Sequence, residues 1–233
     1  MTDRDFFGPD ADSVFEAWNR RGFAARCDLL AAALTQLPPS TDLAEQSRLL
    51  PGLLDHARQQ EQALMLPGPT GESNELYLSA RGLTLVLGSA GATPLALAGQ
   101  LFTALACGNP VLFSAGAEAA WGAQLVSLLH RIGVPQGVLA QVEQEPLAAL
   151  LQHPGLRLLA PVCQREELIG FQRQLAKRAG LLVQLAAETD PQDCTTLLQP
   201  DHLYRFTTEK TRTINTTAVG GNATLLELGG NAP

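Results

Sequence analysis

Short apolar runs of strand length alternate with longer amphipathic stretches between Arg81 and Leu185, and that alternation leaves few folds open to the chain. The spacing predicts strands over 83–87, 110–113, 138–142, 156–159 and 181–185, with helices over 94–106, 117–131 and 165–178 between them. Antiparallel neighbours need only a tight turn, whereas parallel neighbours need a long crossover, so strands separated by whole helices predict a parallel sheet covered by helices. The expected fold class is α/β, a Rossmann-like open parallel sheet. Composition agrees, because 45% of the residues are hydrophobic and only 5% aromatic, which suits an aliphatic core of helices and short buried strands better than a β-sandwich.

Two segments of different character flank this unit. Residues 1–65 carry apolar positions at helical spacing, among them Val14, Trp18, Leu30, Leu50 and Leu54, and read as a helical lead-in. Asp12 is expected to cap its first helix and Thr41 its third, with Pro38 and Pro39 between them. Pro67, Gly68, Pro69 and Gly71 cannot continue a helix and set the clearest internal boundary, so the Rossmann-like domain is placed at 66–198. Residues 199–233 form a β-branched tail in which 204–208 and 211–217 are expected to pair as a β-hairpin about Glu209 and Lys210. A lone hairpin is marginal in water and must lie on another surface.

The 16 basic residues are scattered against 23 acidic ones, for a formal charge of −7, which argues against nucleic acid and anionic membranes as partners. No apolar run reaches the roughly 20 residues of a membrane-spanning helix. Gln100, Pro110 and Ser114 interrupt the most hydrophobic region, so no integral membrane association is expected. Cys27, Cys107, Cys163 and Cys194 form no CxxC pair, and Asp3, Arg4 and Asp5 give the start no signal-peptide character, which points to reduced thiols in the cytoplasm. Cys107 and Cys163 fall beside predicted buried strands, where cysteine behaves as a small hydrophobe. His56, His130, His153 and His202 show no metal-ligand spacing. Neither a catalytic residue nor a metal site is assigned.

The stretch 66–74 (LPGPTGESN), the helix-to-strand passage 105–113 and the stretch 214–226 (INTTAVGGNATLL) follow one another in the order found in a known family. Together they resemble the C-terminal region of the bifunctional proline-utilisation flavoenzymes, PutA, downstream of the aldehyde dehydrogenase active site. The resemblance runs from about Leu50 to Leu228; the last stretch is its specific part, and the middle one is shared by aldehyde dehydrogenases at large. In that family the full protein oxidises proline with FAD and then glutamate semialdehyde to glutamate with NAD. The resemblance implies a relative of the NAD-binding fold that carries no chemistry of its own and packs beside the catalytic domains of a PutA-type enzyme or against a second copy. It further implies that the tail, with Ile214, Asn215, Thr216, Thr217, Gly220, Gly221 and Asn222, closes the dehydrogenase site or holds subunits together. Threonines favour extended backbone and paired glycines allow close approach, so strand addition to a partner's sheet edge is the expected mechanism. Docking of the tail on its own domain is the alternative.

The Gly88-Ser89-Ala90-Gly91 turn joins a predicted strand to a predicted helix, where backbone N–H groups can cradle a pyrophosphate, although the GxGxxG spacing is absent. No cofactor is assigned from the residues themselves. NAD is the one the resemblance admits, at Gly88, Ser89, Gly91, Asn109 and Ser114, and a residual NAD-binding domain of an oxidoreductase is the alternative function. Against it, Ser114 and Ala115 stand where aldehyde dehydrogenases carry a ribose-contacting lysine, and Pro161-Val162-Cys163-Gln164 replaces their Gly-Ser-Thr turn. Residues 226–233 fit the aldehyde dehydrogenase glutamate signature, with Glu227 as the base. Such a base needs an acyl-enzyme on a separate catalytic lobe, for which no chain follows, so the chain alone is expected to be inactive. Glu188 follows the predicted 181–185 strand where a glutamate motif could fall, but Asp190-Pro191 replaces the glycines such a motif requires.

Overall fold

The computed structural model describes residues 10–40 and 48–215. Helices α1 (Ala11–Arg20), α2 (Gly22–Ala31) and α3 (Leu49–Arg58) lead into strands β1 (Leu64–Leu66) and β2 (Glu72–Ala80). There follow β3 (Thr84–Gly88), α4 (Pro94–Ala106), β4 (Val111–Ser114), α5 (Ala119–Arg131), β5 (Leu139–Gln141), α6 (Leu147–Gln152), β6 (Leu158–Val162), α7 (Arg165–Ala176), β7 (Gln184–Leu185) and β8 (Thr207–Asn215). The α/β class expected from the alternation is the one observed: a five-stranded parallel sheet in the order β5-β4-β3-β6-β7. The strand expected over 156–159 starts later, at Leu158, because the Pro154–Gly155 turn closes with the Leu156 N–H donating to His153 O at 3.1 Å.

Strand periodicity divides the core between the faces of this sheet. Every residue of β3 is buried, with Val86 in the cluster shared by α1 to α5, and Leu85 and Leu87 in the cluster shared by α6 and α7. In β4, Val111 and Phe113 join the first cluster and Leu112 the second; in β6, Leu158, Ala160 and Val162 oppose Leu159. Helix α4 is buried from Leu95 to Ala106, since the sheet covers one side and α2 and α3 the other. It starts at Thr93, whose hydroxyl accepts the Ala96 N–H at 3.2 Å, with Pro94 in the first position, where a missing N–H costs nothing. It ends at Gly108, whose φ of +88° a side chain would strain.

The lead-in helices are fastened to that end of α4. Arg26 is only 1% exposed, and its guanidinium donates to Ala106 O and Asn19 O, both at 2.8 Å. The Trp18 indole donates to Leu105 O at 3.3 Å. A cation on the last carbonyls of a helix is favoured by the helix dipole. Burial holds the Arg26 pKa below its ordinary value. Asp12 does not cap α1 as expected: Asp10 holds the N-cap position and Asp12 lies in the first turn, where its charge meets the same dipole. Thr41 lies outside the described residues.

The expected tail hairpin is replaced by a longer-range pairing. Tyr204 and Arg205 belong to a 3₁₀ turn, and β8 runs unbroken through Glu209 and Lys210. It pairs antiparallel with β2 from Thr207 opposite Ala80 to Asn215 opposite Glu72. β1 covers the other side of β2, so the Pro67–Gly71 segment is the turn of a β1–β2 hairpin, and the second sheet has the order β1-β2-β8. A nine-residue ladder to β2 satisfies more backbone groups than an internal hairpin of β8 residues could.

Candidate functional site

In an open α/β sheet the ligand crevice lies outside the carboxyl ends of the strands, where the strand order reverses. Here that point is between β3 and β6. Gly88, Ser89 and Gly91 are at this crevice, and Ser114 ends the neighbouring strand β4. Asn109 is not, because it precedes β4 and therefore sits at the opposite end of the parallel sheet. Its amide is a structural bracket: Oδ1 accepts the Gly82 N–H at 2.9 Å, and Nδ2 donates to Ala104 O at 3.1 Å and Phe206 O at 3.0 Å.

The crevice is closed by the chain's own side chains. The Ser89 hydroxyl donates to the Glu167 carboxylate, which also accepts the Gln164 N–H at 3.0 Å as half of the capping box of α7. A Cβ on Gly91 would lie 2.5 Å from Gln164 Nε2, and one on Gly88 would lie 2.5 Å from Ala115 O, so protein already packs against both glycines. Glu143 accepts the Ser114 hydroxyl at 2.8 Å and the Ala115 N–H. Thr93, which caps α4, donates to Pro191 O at 2.8 Å, placing the 190–191 turn against the helix start. A dinucleotide needs open N–H groups at that helix start for its pyrophosphate. The Glu167 carboxylate and the 190–191 turn stand there instead, so the helix start does not fit the pyrophosphate of NAD. Glu167 had a sequence signal, the Gln164-x-x-Glu167 capping pattern; Glu143 had none, because it lies 29 residues from its partner.

Glu188, the other acidic residue considered from the sequence, is fully buried and accepts the N–H groups of Asp190 at 2.8 Å and of Thr196 and Leu197 at 2.9 Å. All of these bonds fasten the 188–197 turn. The four cysteines are buried and form no disulfide. Burial pushes the Cys163 thiol up to about 11, with Glu167 and Glu188 adding to the effect, and it also raises Cys107 and Cys27. Cys27, Cys107 and Cys163 are held as thiols at neutral pH, the unreactive form. Among the described residues no three His, Cys, Asp or Glu side chains converge on a metal position, and no helix is long and apolar enough to cross a membrane.

Of the tail positions, Ile214 and Asn215 end β8, opposite Ser73 and Glu72 of the same chain. Thr216, Thr217, Gly220, Gly221, Asn222 and Glu227 lie outside the described residues.

No family model matches the sequence, and no curated protein matches it. Solved structures do. A variant of Bradyrhizobium japonicum proline utilization A (PutA) is 27% identical with a TM-score of 0.66, the match covering 77% of this chain and 21% of that one. PutA from Bdellovibrio bacteriovorus is 19% identical with a TM-score of 0.65, over 81% and 23% of the two chains. A Thermus 1-pyrroline-5-carboxylate dehydrogenase with bound NAD is 21% identical with a TM-score of 0.63, over 76% and 40%. The match thus spans about a fifth of the length of the PutA chains. In fold and in sequence the chain is similar to an aldehyde-dehydrogenase-like region of PutA.

Proposed function

We propose that the chain is a non-catalytic aldehyde-dehydrogenase-superfamily module of the PutA type, which supports assembly or active-site closure of the proline-to-glutamate catabolic enzyme, the 1-pyrroline-5-carboxylate or glutamate semialdehyde dehydrogenase. It does so in the cytoplasm, through the β1-β2-β8 arm and the tail that continues β8, against the catalytic domains or a second copy. The observation that carries this reading is the arm. Cross-strand register puts Met65, Tyr77 and Ile214 on one of its faces, and they are 60%, 38% and 45% exposed. β8 is an edge strand whose residues from Glu209 to Asn215 are all exposed. The same face carries the Glu75–Arg212 ion pair, so it is mixed, and a long open edge with exposed apolar side chains beside it is what strand addition by a partner uses. The closed crevice beside Gly88 supports the non-catalytic half of the reading.

Light scattering of the purified chain, alone and mixed with PutA catalytic domains, tests it. The expected result is a self-associated or mixed complex that Ile214→Lys dissociates. Isothermal titration with NAD in the same samples gives no heat on this reading. A monomer that ignores the catalytic domains and binds NAD saturably would instead support the residual NAD-binding domain.

A further inference from the structure

A cavity of about 520 Å³ lies between α3, the last turn of α4 and the 197–203 turn, away from the crevice. Its volume falls in the range of small-molecule sites, roughly 300–1,000 Å³. Leu53, Leu198 and Leu203 supply apolar wall; Arg48, His56 and His202 supply the ionisable groups, and no carboxylate among the described residues lines it. His202 is 1% exposed, yet neither ring nitrogen has a hydrogen-bond partner, and Nε2 of His56 lacks one as well. Buried polar groups left unpaired are rare in native proteins and ask for a partner. Burial, reinforced by Arg205, keeps His202 neutral, so one nitrogen donates and the other accepts. Arg48 makes no ion pair or hydrogen bond among the described residues.

Gly52 stands at the exposed mouth of this space, inside α3, where a glycine weakens the helix, and an added Cβ would meet nothing within 4 Å. No close backbone approach requires glycine there, so a larger side chain at this position would enter the mouth of the cavity.

We infer that the cavity binds a small aliphatic monocarboxylate, its hydrocarbon body against Leu53, Leu198 and Leu203, its carboxylate paired with Arg48 and hydrogen-bonded to the buried imidazole of His202. The sign of the ligand follows from the described lining, which holds a cation and two imidazoles and no carboxylate to meet an ammonium.

Calorimetric titration of the full chain with sodium octanoate, accompanied by NMR of the histidine rings, tests the assignment. Saturable one-to-one binding with a shift of the His202 ring signals is expected. Arg48→Gln should weaken it about tenfold, the usual scale of one charge-assisted bond. Gly52→Leu, which places a better helix former in empty space, should abolish it without lowering the melting temperature. Absence of heat at millimolar octanoate overturns the site, as does undiminished binding by Gly52→Leu. Equal affinity for octanamide overturns the carboxylate assignment, since Arg48 would then not be reading charge.

Discussion

The five-stranded sheet, built of apolar strands, and the three-stranded arm, whose long strands are largely polar, differ in what covers them. β3, β4 and β6 send successive side chains into two buried clusters, so the sheet's apolar surface is used within the chain. The arm keeps its backbone paired over nine residues between β2 and β8 but leaves Leu64, Met65, Tyr77 and Ile214 exposed. Its side-chain ties are local, such as the Arg212–Glu75 ion pair and the Thr213–Asn74 hydrogen bond. Backbone pairing therefore contributes most to the geometry of the arm, while burial sets that of the body. A mutation should read out as lost stability in the body and as lost association in the arm.

The largest effect is expected at Phe113, fully buried between the sheet and α5. Phe113→Ala should lower the unfolding free energy by about 4 kcal/mol, as core truncations of aromatic residues do. Urea denaturation measures it, and a loss under about 1 kcal/mol would mean that the core is not packed as described.

Titration draws the next contrast. His202 has a pKa pushed down to about 4 by burial, and an ordinary value of 6.5. The unfolded chain binds a proton below pH 6.5 that the folded chain refuses. The stability tied to this group is thus fully present above pH 6.5 and is lost as pH falls toward 4, by about 3 kcal/mol in all. His202→Phe should flatten that part of the stability profile, measured by urea melts from pH 7 to pH 4. An unchanged slope would place the imidazole in water. Glu188→Ala should cost about 2 kcal/mol by orphaning the N–H groups of Asp190, Thr196 and Leu197, again measured in urea.

The same division marks what the sequence could tell. The body was legible because apolar runs and helical spacing follow directly from burial on two faces, and Pro94 and Gly108 punctuate α4 locally. The arm was not. β2 reads Glu-Ser-Asn-Glu-Leu-Tyr-Leu-Ser-Ala, too polar to signal a buried strand, and its partner β8 lies more than a hundred residues further on. The expectation of a hairpin within 204–217 rested on local turn logic, and distant pairing overrode it. At the crevice the turn was placed correctly from local pattern, but its closure depends on Glu167, 78 residues from Ser89. Asn109 precedes its strand and so lies at the amino end of a parallel sheet, away from the crevice; the family resemblance that suggested a cofactor contact there took no account of strand direction. Nothing local foretold that His202 would be buried without a partner.

The smallest stability effect is the sharpest test of the contrast. Tyr77 shares a face of the arm with Met65 and Ile214 and is opposite Lys210 on β8. With the residue 38% exposed, Tyr77→Ala removes part-buried area and should lower the unfolding free energy by about 1 kcal/mol, well short of the Phe113→Ala loss. If the arm's apolar face is an interface, the same substitution should weaken association in sedimentation velocity runs on the same sample, because aromatic anchors dominate interface energies. A stability loss near that of Phe113→Ala would fold the arm into the body's own core. A change in neither quantity would leave the open edge of β8, rather than this face, as the part of the arm that a partner reads.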